Sequence, residues 1–319
     1  MNSSSSNFSQ FAGAYGKVLA ILVVMVAGAF LPQFHVLSFL IQYLLMVMLF
    51  FAFLDIEIKP ASFQKGVLWV LLANGAVAFV GYWLFSYVDH TLALAAFITG
   101  IAPTAIASPV VVSFIEGNVE YVAAAVLLTN LSMALVVPFA LPFMVGPTGH
   151  ISTWVVLQPV LIMMFVPLIL AQLVRHLPQK ARTIIRKGKV ASFPVWLANL
   201  FIICAKAGDF LRNEGTVSLS VLGDIALVSL AVCIVNFGVG ALLGGRKYWQ
   251  ESSQALGQKN NSFVVWVALT FINPLVAMGP TFYIIYHNLY NSFQIYLFEK
   301  RRTSLSRKVL TTLPENMKR

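Results

Sequence analysis

The residues of this sequence best equipped for chemistry lie where polar side chains are least expected. Between Ala255 and Ser262 the chain reads Ala-Leu-Gly-Gln-Lys-Asn-Asn-Ser, inside a stretch from 250 to 272 that is otherwise largely apolar. It therefore holds a cation, Lys259, and two amides, Asn260 and Asn261. Between Ile101 and Pro109 the chain reads Ile-Ala-Pro-Thr-Ala-Ile-Ala-Ser-Pro, which sets Thr104 and Ser108 between two prolines. Hydroxyls, amides and a lone ammonium can hold ions and small charged molecules. A phosphate-cradling Gly-rich motif with Lys-Ser/Thr, a His-Glu-x-x-His and a Cys-x-x-Cys do not occur. ATP-driven pumping and metalloenzyme chemistry thus find no support, and no catalytic residue, metal or cofactor is expected.

The elements that must position these residues follow from composition. Of 319 residues, 59% are hydrophobic and 10% charged, with mean hydropathy +0.83. An ordinary soluble domain is roughly 45–50% apolar, and the charges needed to solvate such an exterior are missing. A soluble enzyme, a nucleic-acid binder and a disordered hub are excluded. A bilayer span takes about 20 apolar residues, and the runs at 16–32, 37–54, 66–88, 91–115, 119–144, 153–175, 191–211, 217–243, 250–272 and 276–298 predict ten spans. Cys204 and Cys233 lie within apolar segments, so neither a disulfide framework nor a metal cluster is expected. Met1 to Gly16 is Ser-rich with no basic residue before Lys17, unlike a cleaved signal peptide.

Lys and Arg give the orientation. With the N-terminus inside, 18 of the 21 basic residues fall on the cytoplasmic side. They include Lys17, Lys59, Lys65, the connector from Arg175 to Lys189, Arg246, Lys247 and the tail from Lys300. Arg212 falls outside, and Lys206 and Lys259 fall within spans. An integral protein of an inner or plasma membrane is expected, with both termini cytoplasmic. The basic connector and tail are read as charge that fixes topology, with anionic-lipid binding as the alternative.

Spans four and nine carry the two polar breaks. Two prolines in mid-span remove backbone donors and clash with preceding carbonyls. Irregular backbone survives at membrane depth only where protein or a water-filled cavity surrounds it. Each broken span is the fourth of its five, and interrupted helices at matching places mark transporters with inverted repeats. Five is odd, so the halves, 1–148 and 152–300, insert upside down relative to each other, followed by a basic tail at 301–319. Two merely kinked structural helices are the blander alternative.

The same residues resemble the bile acid:sodium symporter family. Its Glu-x-Gly-x-Gln-Asn pattern reads here as Ala255-Leu256-Gly257-Gln258-Lys259-Asn260, followed by Phe271, Ala277-Met278-Gly279-Pro280 and His287-Asn288. Its Cys-Pro-Gly-Gly-x-Ala-Ser-Asn…Gly-Asn-Val pattern reads as Ala102 to Pro109 followed by Gly117-Asn118-Val119. The resemblance implies ten helices in a four-helix panel and a six-helix core, with spans four and nine crossing at mid-membrane. It also implies a bile acid, keto acid or pantoate-like organic anion taken up with sodium.

Departures bear on the sodium. The family's carboxylate falls on Ala255, its Gln on Lys259, and the Asn after Ser108 on Pro109. Two hydroxyl positions fall on Val122 and Val126, and Asn74 stands where a supporting Gln would be. A one-residue register shift would bring Leu256 to the carboxylate position, and Glu251 would need a shift of four. A charged lysine at mid-bilayer costs roughly 2.5–3.5 kcal/mol and needs polar partners. At ~4 Å, with an effective dielectric near 20, it would repel sodium by about 4 kcal/mol. Lys259 is therefore read as replacing a bound sodium, with Ser108, Thr129, Asn130, Asn74 and backbone carbonyls as candidate partners. A fixed charge gives a sodium-independent facilitator; loss of its proton in one state gives proton coupling, since burial disfavours the charged form. A lysine snorkelling from the end of span nine is the structural alternative.

Further candidates are Asn260 and Asn261 at the break, His287 and Asn288, which the family resemblance implies lie beside a substrate cavity, and Lys206 with Asp209, three residues apart on span seven. Gly240-x-x-x-Gly244 is read as close helix packing. The expected partners are the bilayer and a small organic anion, not nucleic acid. Two rivals remain. A cation/proton antiporter of similar plan would need a carboxylate beside the crossing, and a non-transporting sensor or scaffold would equally explain degenerate sodium positions.

Overall fold

The computed structural model describes residues 19–55, 64–146, 151–213 and 218–312. Lys17 with the Ser-rich start, Lys59, and Lys318 and Arg319 lie outside the described residues. Among the described residues every regular element is a helix: α1 (Leu19–Phe30), α2 (Leu40–Asp55), α3 (Lys65–Ser86), α4 (His90–Ile101), α5 (Ser108–Phe114), α6 (Val119–Val145), α7 (Thr153–Arg175), α8 (Gln179–Lys187), α9 (Ser192–Asn213), α10 (Leu219–Gly257), α11 (Asn261–Phe271) and α12 (Pro274–Thr312). Short 3-10 turns at Pro32–Phe39 and Gly188–Ala191 lead into α2 and α9.

The local reasons are ordinary helix chemistry. Side chains at three N-caps accept from the first turn: Asp89 from Leu92 N at 3.0 Å, Asn118 from Tyr121 N at 2.9 Å, and Ser152 from Trp154 N at 3.3 Å. Six helical stretches among the described residues are long and apolar enough to cross a membrane, and α1, α4 and α11 are shorter apolar helices. Exposed side chains such as Trp69, Phe139, Phe143, Trp154 and Leu242 cover their outer faces, where lipid rather than water suits them. The chain is an all-helical protein of the membrane-embedded type. α12 is not among the six, because His287, Asn288, Asn291 and its tyrosines lower its hydropathy. It also runs on through Thr312, so the first part of the expected tail continues the helix; no Pro or Gly interrupts it there.

The 39 residues of α10 do not form one rod. Gly245 takes φ 55° and ψ −150°, a conformation open essentially to glycine alone, and Tyr248 is also non-helical. The chain folds back here, and Ser253 Oγ donates to Phe237 O at 2.8 Å. A Cβ on Gly240 would lie 2.5 Å from Ser252 O, so the two arms touch backbone to backbone along the Gly240/Gly244 stripe. This turn separates the expected spans at 217–243 and 250–272.

Packing divides the helices into two groups. α2 packs on α7, α9 and the 3-10 turn before it, while α4, α10 and α12 pack on one another, α3 on α4 and α10, and α11 on α12, with α6 bridging from α7 to α3 and α10. The largest apolar core joins the groups, with Phe53, Phe97, Ile98, Leu141, Met163 and Phe263 buried in it. The two interruptions, at 102–107 between α4 and α5 and at 258–260 between α10 and α11, lie at the centre of the second group.

Candidate functional site

The two breaks meet. Thr104 and Lys259 form an antiparallel backbone bridge, flanked by reciprocal hydrogen bonds from Ala105 N to Gln258 O and from Asn260 N to Pro103 O, each 2.7 Å. Breaking a helix strands its last carbonyls, and at membrane depth each needs a donor. Here most of the remaining donors come from side chains expected at the site. On the α4 side, Asn74 Nδ2 donates to Ile101 O at 3.1 Å and Asn130 Nδ2 to Thr104 O at 2.9 Å. On the α10 side, Thr104 Oγ1 donates to Ala255 O at 2.6 Å and Ser108 Oγ to Gln254 O at 2.9 Å. Thr129 Oγ1 accepts from Thr104 N at 3.0 Å.

Lys259 is 1% exposed. Its ammonium donates to Asn74 Oδ1 and, at 3.0 Å, to Gly100 O. Those oxygens sit at the C-terminal end of α4, where the helix dipole presents partial negative charge. Asn74 thus ties both parts of the cradle, accepting from Lys259 and donating to the adjacent carbonyl. Of the candidate partners for Lys259, Asn74 and a backbone carbonyl take the role. Ser108, Thr129 and Asn130 go instead to backbone groups of the breaks, whose unmet valences outnumber a single ammonium.

Other candidates join at one remove. Asn260 Nδ2 donates to Asn130 Oδ1 at 3.3 Å. Asn261 is buried with its Nδ2 3.4 Å from His287 Nδ1, and its Oδ1 has no partner. Asn288 donates to Ile284 O of its own helix at 2.7 Å and takes no part in the crossing. Pro109 opens α5, while Val122 and Val126 are wholly buried beside it. Tyr283 was not anticipated: its hydroxyl donates to Gly257 O at 2.7 Å, and its ring lies edge-on to His287. Its spacing of four from His287 on one helix face was the available signal.

The carboxylates lie elsewhere. Ala255 faces Thr104, while Glu251, one turn away, accepts from Asn118 N at 2.8 Å at the start of α6. Lys206 and Asp209 turn to different partners. Lys206 reaches Leu269 O at 3.4 Å, whereas Asp209 contacts His35 at 3.5 Å and accepts from Asn213 at 2.9 Å. The polar contacts Lys206–Leu269 and Trp196 Nε1–Ser262 Oγ, at 3.2 Å, join α9 to α11 across the boundary between the helix groups.

Fold and site define an all-helical, membrane-embedded type of protein with two interrupted helices bridged at a buried lysine. The chain matches no model of a known protein family, and no curated protein matches it. The likeness to the bile acid:sodium symporters therefore rests on the sequence motifs alone.

Proposed function

We propose that this protein is a secondary transporter of small or amphipathic organic anions, working by alternating access around the crossing of two inverted five-helix repeats. In this reading its ten spans form a bile acid:sodium symporter-like panel and core. The group of α2, α7 and α9 serves as panel, and the group carrying the breaks serves as core. The substrate is of the bile acid, keto acid or pantoate-like class, and it binds where the groups face each other.

The observation that carries the reading is the cradle of Lys259. An amide oxygen and a backbone carbonyl at a helix C-terminus are the ligands a monovalent cation takes, and the ammonium occupies them. Lys259 thus stands in for a bound sodium. It neutralises the carbonyl ends of the broken helix without an ion having to be captured, so transport proceeds without sodium. A proton shuttled by Lys259 is the second mechanism this arrangement allows.

The antiporter reading is weaker, since Glu251, one turn before Ala255, accepts from Asn118 N at the start of α6 rather than facing the crossing. Flux separates transport from a sensor or scaffold. Purified protein in liposomes, with choline replacing sodium on both sides, is offered a labelled bile acid, a 2-keto acid and pantoate in turn. Saturable, protein-dependent uptake of one class is expected. Absence of flux for all three, or uptake that requires sodium, would overturn the reading.

A further inference from the structure

The connector between α7 and α9 is more than a charged loop. It folds into α8, nine residues long, and a 3-10 turn, Gly188–Ala191. Two contacts pin it to the end of the bundle. Ile185 packs on the main apolar core, and Gly188 lies against the ring of Phe51 near the end of α2, where a Cβ would come within 2.9 Å of it. Ala181, Arg182, Ile185 and Gly188 are the partly covered positions, one helix face. That fixes what faces outward: Lys180, Thr183, Ile184, Arg186 and Lys187, all exposed.

This outer face is mixed in a specific way. Ile184 is 70% exposed and Val190 85%, among the most exposed large apolar side chains described. Lys180, Arg186 and Lys187 are exposed on the same face as Ile184. A water-facing segment would not display Ile184 and Val190, and a lipid-buried one would not carry Lys180, Arg186 and Lys187 beside them. A short helix with both, leading through the Gly188–Ala191 turn into α9, suits the boundary between headgroups and acyl chains. Juxtamembrane cations there attract anionic headgroups by about 1 kcal/mol each.

We infer that α8 is an interfacial helix that binds anionic phospholipid of the leaflet on its own side, with Lys180, Arg186 and Lys187 on the headgroup phosphates and Ile184 and Val190 at the acyl boundary. The bound lipid fixes the end of α2 through Phe51 and Ile185, and so holds the α2–α7–α9 group in place. This surface is independent of whether the protein transports anything.

The test uses the full chain in nanodiscs of phosphatidylcholine, alone or with about a third of the lipid replaced by phosphatidylglycerol. Backbone amide exchange across 179–191 is followed together with thermal unfolding. Phosphatidylglycerol is expected to slow exchange in that segment by about tenfold and to raise the unfolding temperature. The variant Lys180→Gln/Arg186→Gln/Lys187→Gln should lose both effects while unfolding normally in pure phosphatidylcholine. The control Arg246→Gln/Lys247→Gln, which alters basic residues elsewhere, should keep them. Equal exchange in the two disc types, or full phosphatidylglycerol protection in the triple variant, would overturn the assignment.

Discussion

Lys259, between α10 and α11, reaches Asn74 on α3 directly: its side-chain nitrogen donates to the amide oxygen, and the same amide donates to Ile101 O at the end of α4. A side chain with one acceptor and two donors thereby serves a buried cation and a stranded carbonyl at once. Neither is reached by water, since Asn74 is 2% exposed and Lys259 1%.

Asn74 is therefore the residue whose loss the crossing tolerates least. Asn74→Leu leaves the cation with Gly100 O and strips Ile101 O of its donor. Hydrogen bonds to charged groups contribute about 1.5–3 kcal/mol, and buried orphans add to the loss, so the variant should unfold at markedly lower temperature in detergent. Pairing it with Lys259→Met should recover part of that loss, because the two residues act as a unit. Strict additivity in the double-mutant cycle would contradict the shared cradle.

Thr104 holds the other break through its hydroxyl on Ala255 O. Thr104→Ser keeps that hydroxyl and should unfold like the wild type. Thr104→Val keeps the shape and should cost about 1–3 kcal/mol by leaving the carbonyl unpaired. Thermal unfolding of the two variants side by side checks this, and equal stabilities would show that the hydroxyl does not hold the crossing.

The break positions were legible in the sequence because proline and consecutive amides are physically incompatible with an unbroken lipid-facing helix. Pro103 to Pro109 and Gly257 to Asn261 lie at the interruptions seen. Helix limits followed as well: the stretches expected at 119–144 and 153–175 are α6 and α7, within a residue. Partner choice was harder to read. Ser108 and Thr129 looked like ligands for Lys259, but the carbonyls and amides freed by the breaks claim them first, and no residue type announces an orphaned backbone group. Lys206 and Asp209 illustrate the same limit. Their spacing permits a pair on one helix, yet tertiary neighbours on α11 and in the Pro32–Phe39 turn offer other contacts. α8 is not announced by the sequence, because its charge reads equally as topology and because adjacent Ile184 and Ile185 take different faces only on folding.

The turn in α10 gives a sharper test of close packing. Gly240→Leu would place side-chain atoms where Ser252 O already lies, and overpacking of this kind typically costs about 1–3 kcal/mol or more. Gly245→Ala meets backbone strain instead, again about 1–3 kcal/mol. Both should lower the unfolding temperature, whereas Gly223→Ala, with open space around it, should not. A Gly240→Leu protein as stable as the wild type would mean the arms do not touch.

Glu251 offers a complementary case outside the crossing. Its carboxylate accepts from Asn118 N at the start of α6 and lies beside Gly117. Glu251→Gln retains an acceptor oxygen and should cost little, while Glu251→Ala should destabilise by about 1–3 kcal/mol through the lost hydrogen bond to Asn118 N. If anion flux is present, Glu251→Gln should leave it intact; abolished flux at normal stability would instead make Glu251 a coupling carboxylate and favour the antiporter reading.

The central claim is that Lys259 occupies the place of a sodium ion. The measurement that tests it most directly is thermal unfolding of the detergent-purified protein in sodium chloride against choline chloride at equal ionic strength, for wild type and Lys259→Gln. A ligand bound only to the folded state at about 100 times its dissociation constant adds about 2.7 kcal/mol, a readily visible shift. No sodium-specific shift is expected in the wild type and a clear one in Lys259→Gln, whose vacated cradle accepts the ion. Specific stabilisation of the wild type by sodium would contradict it.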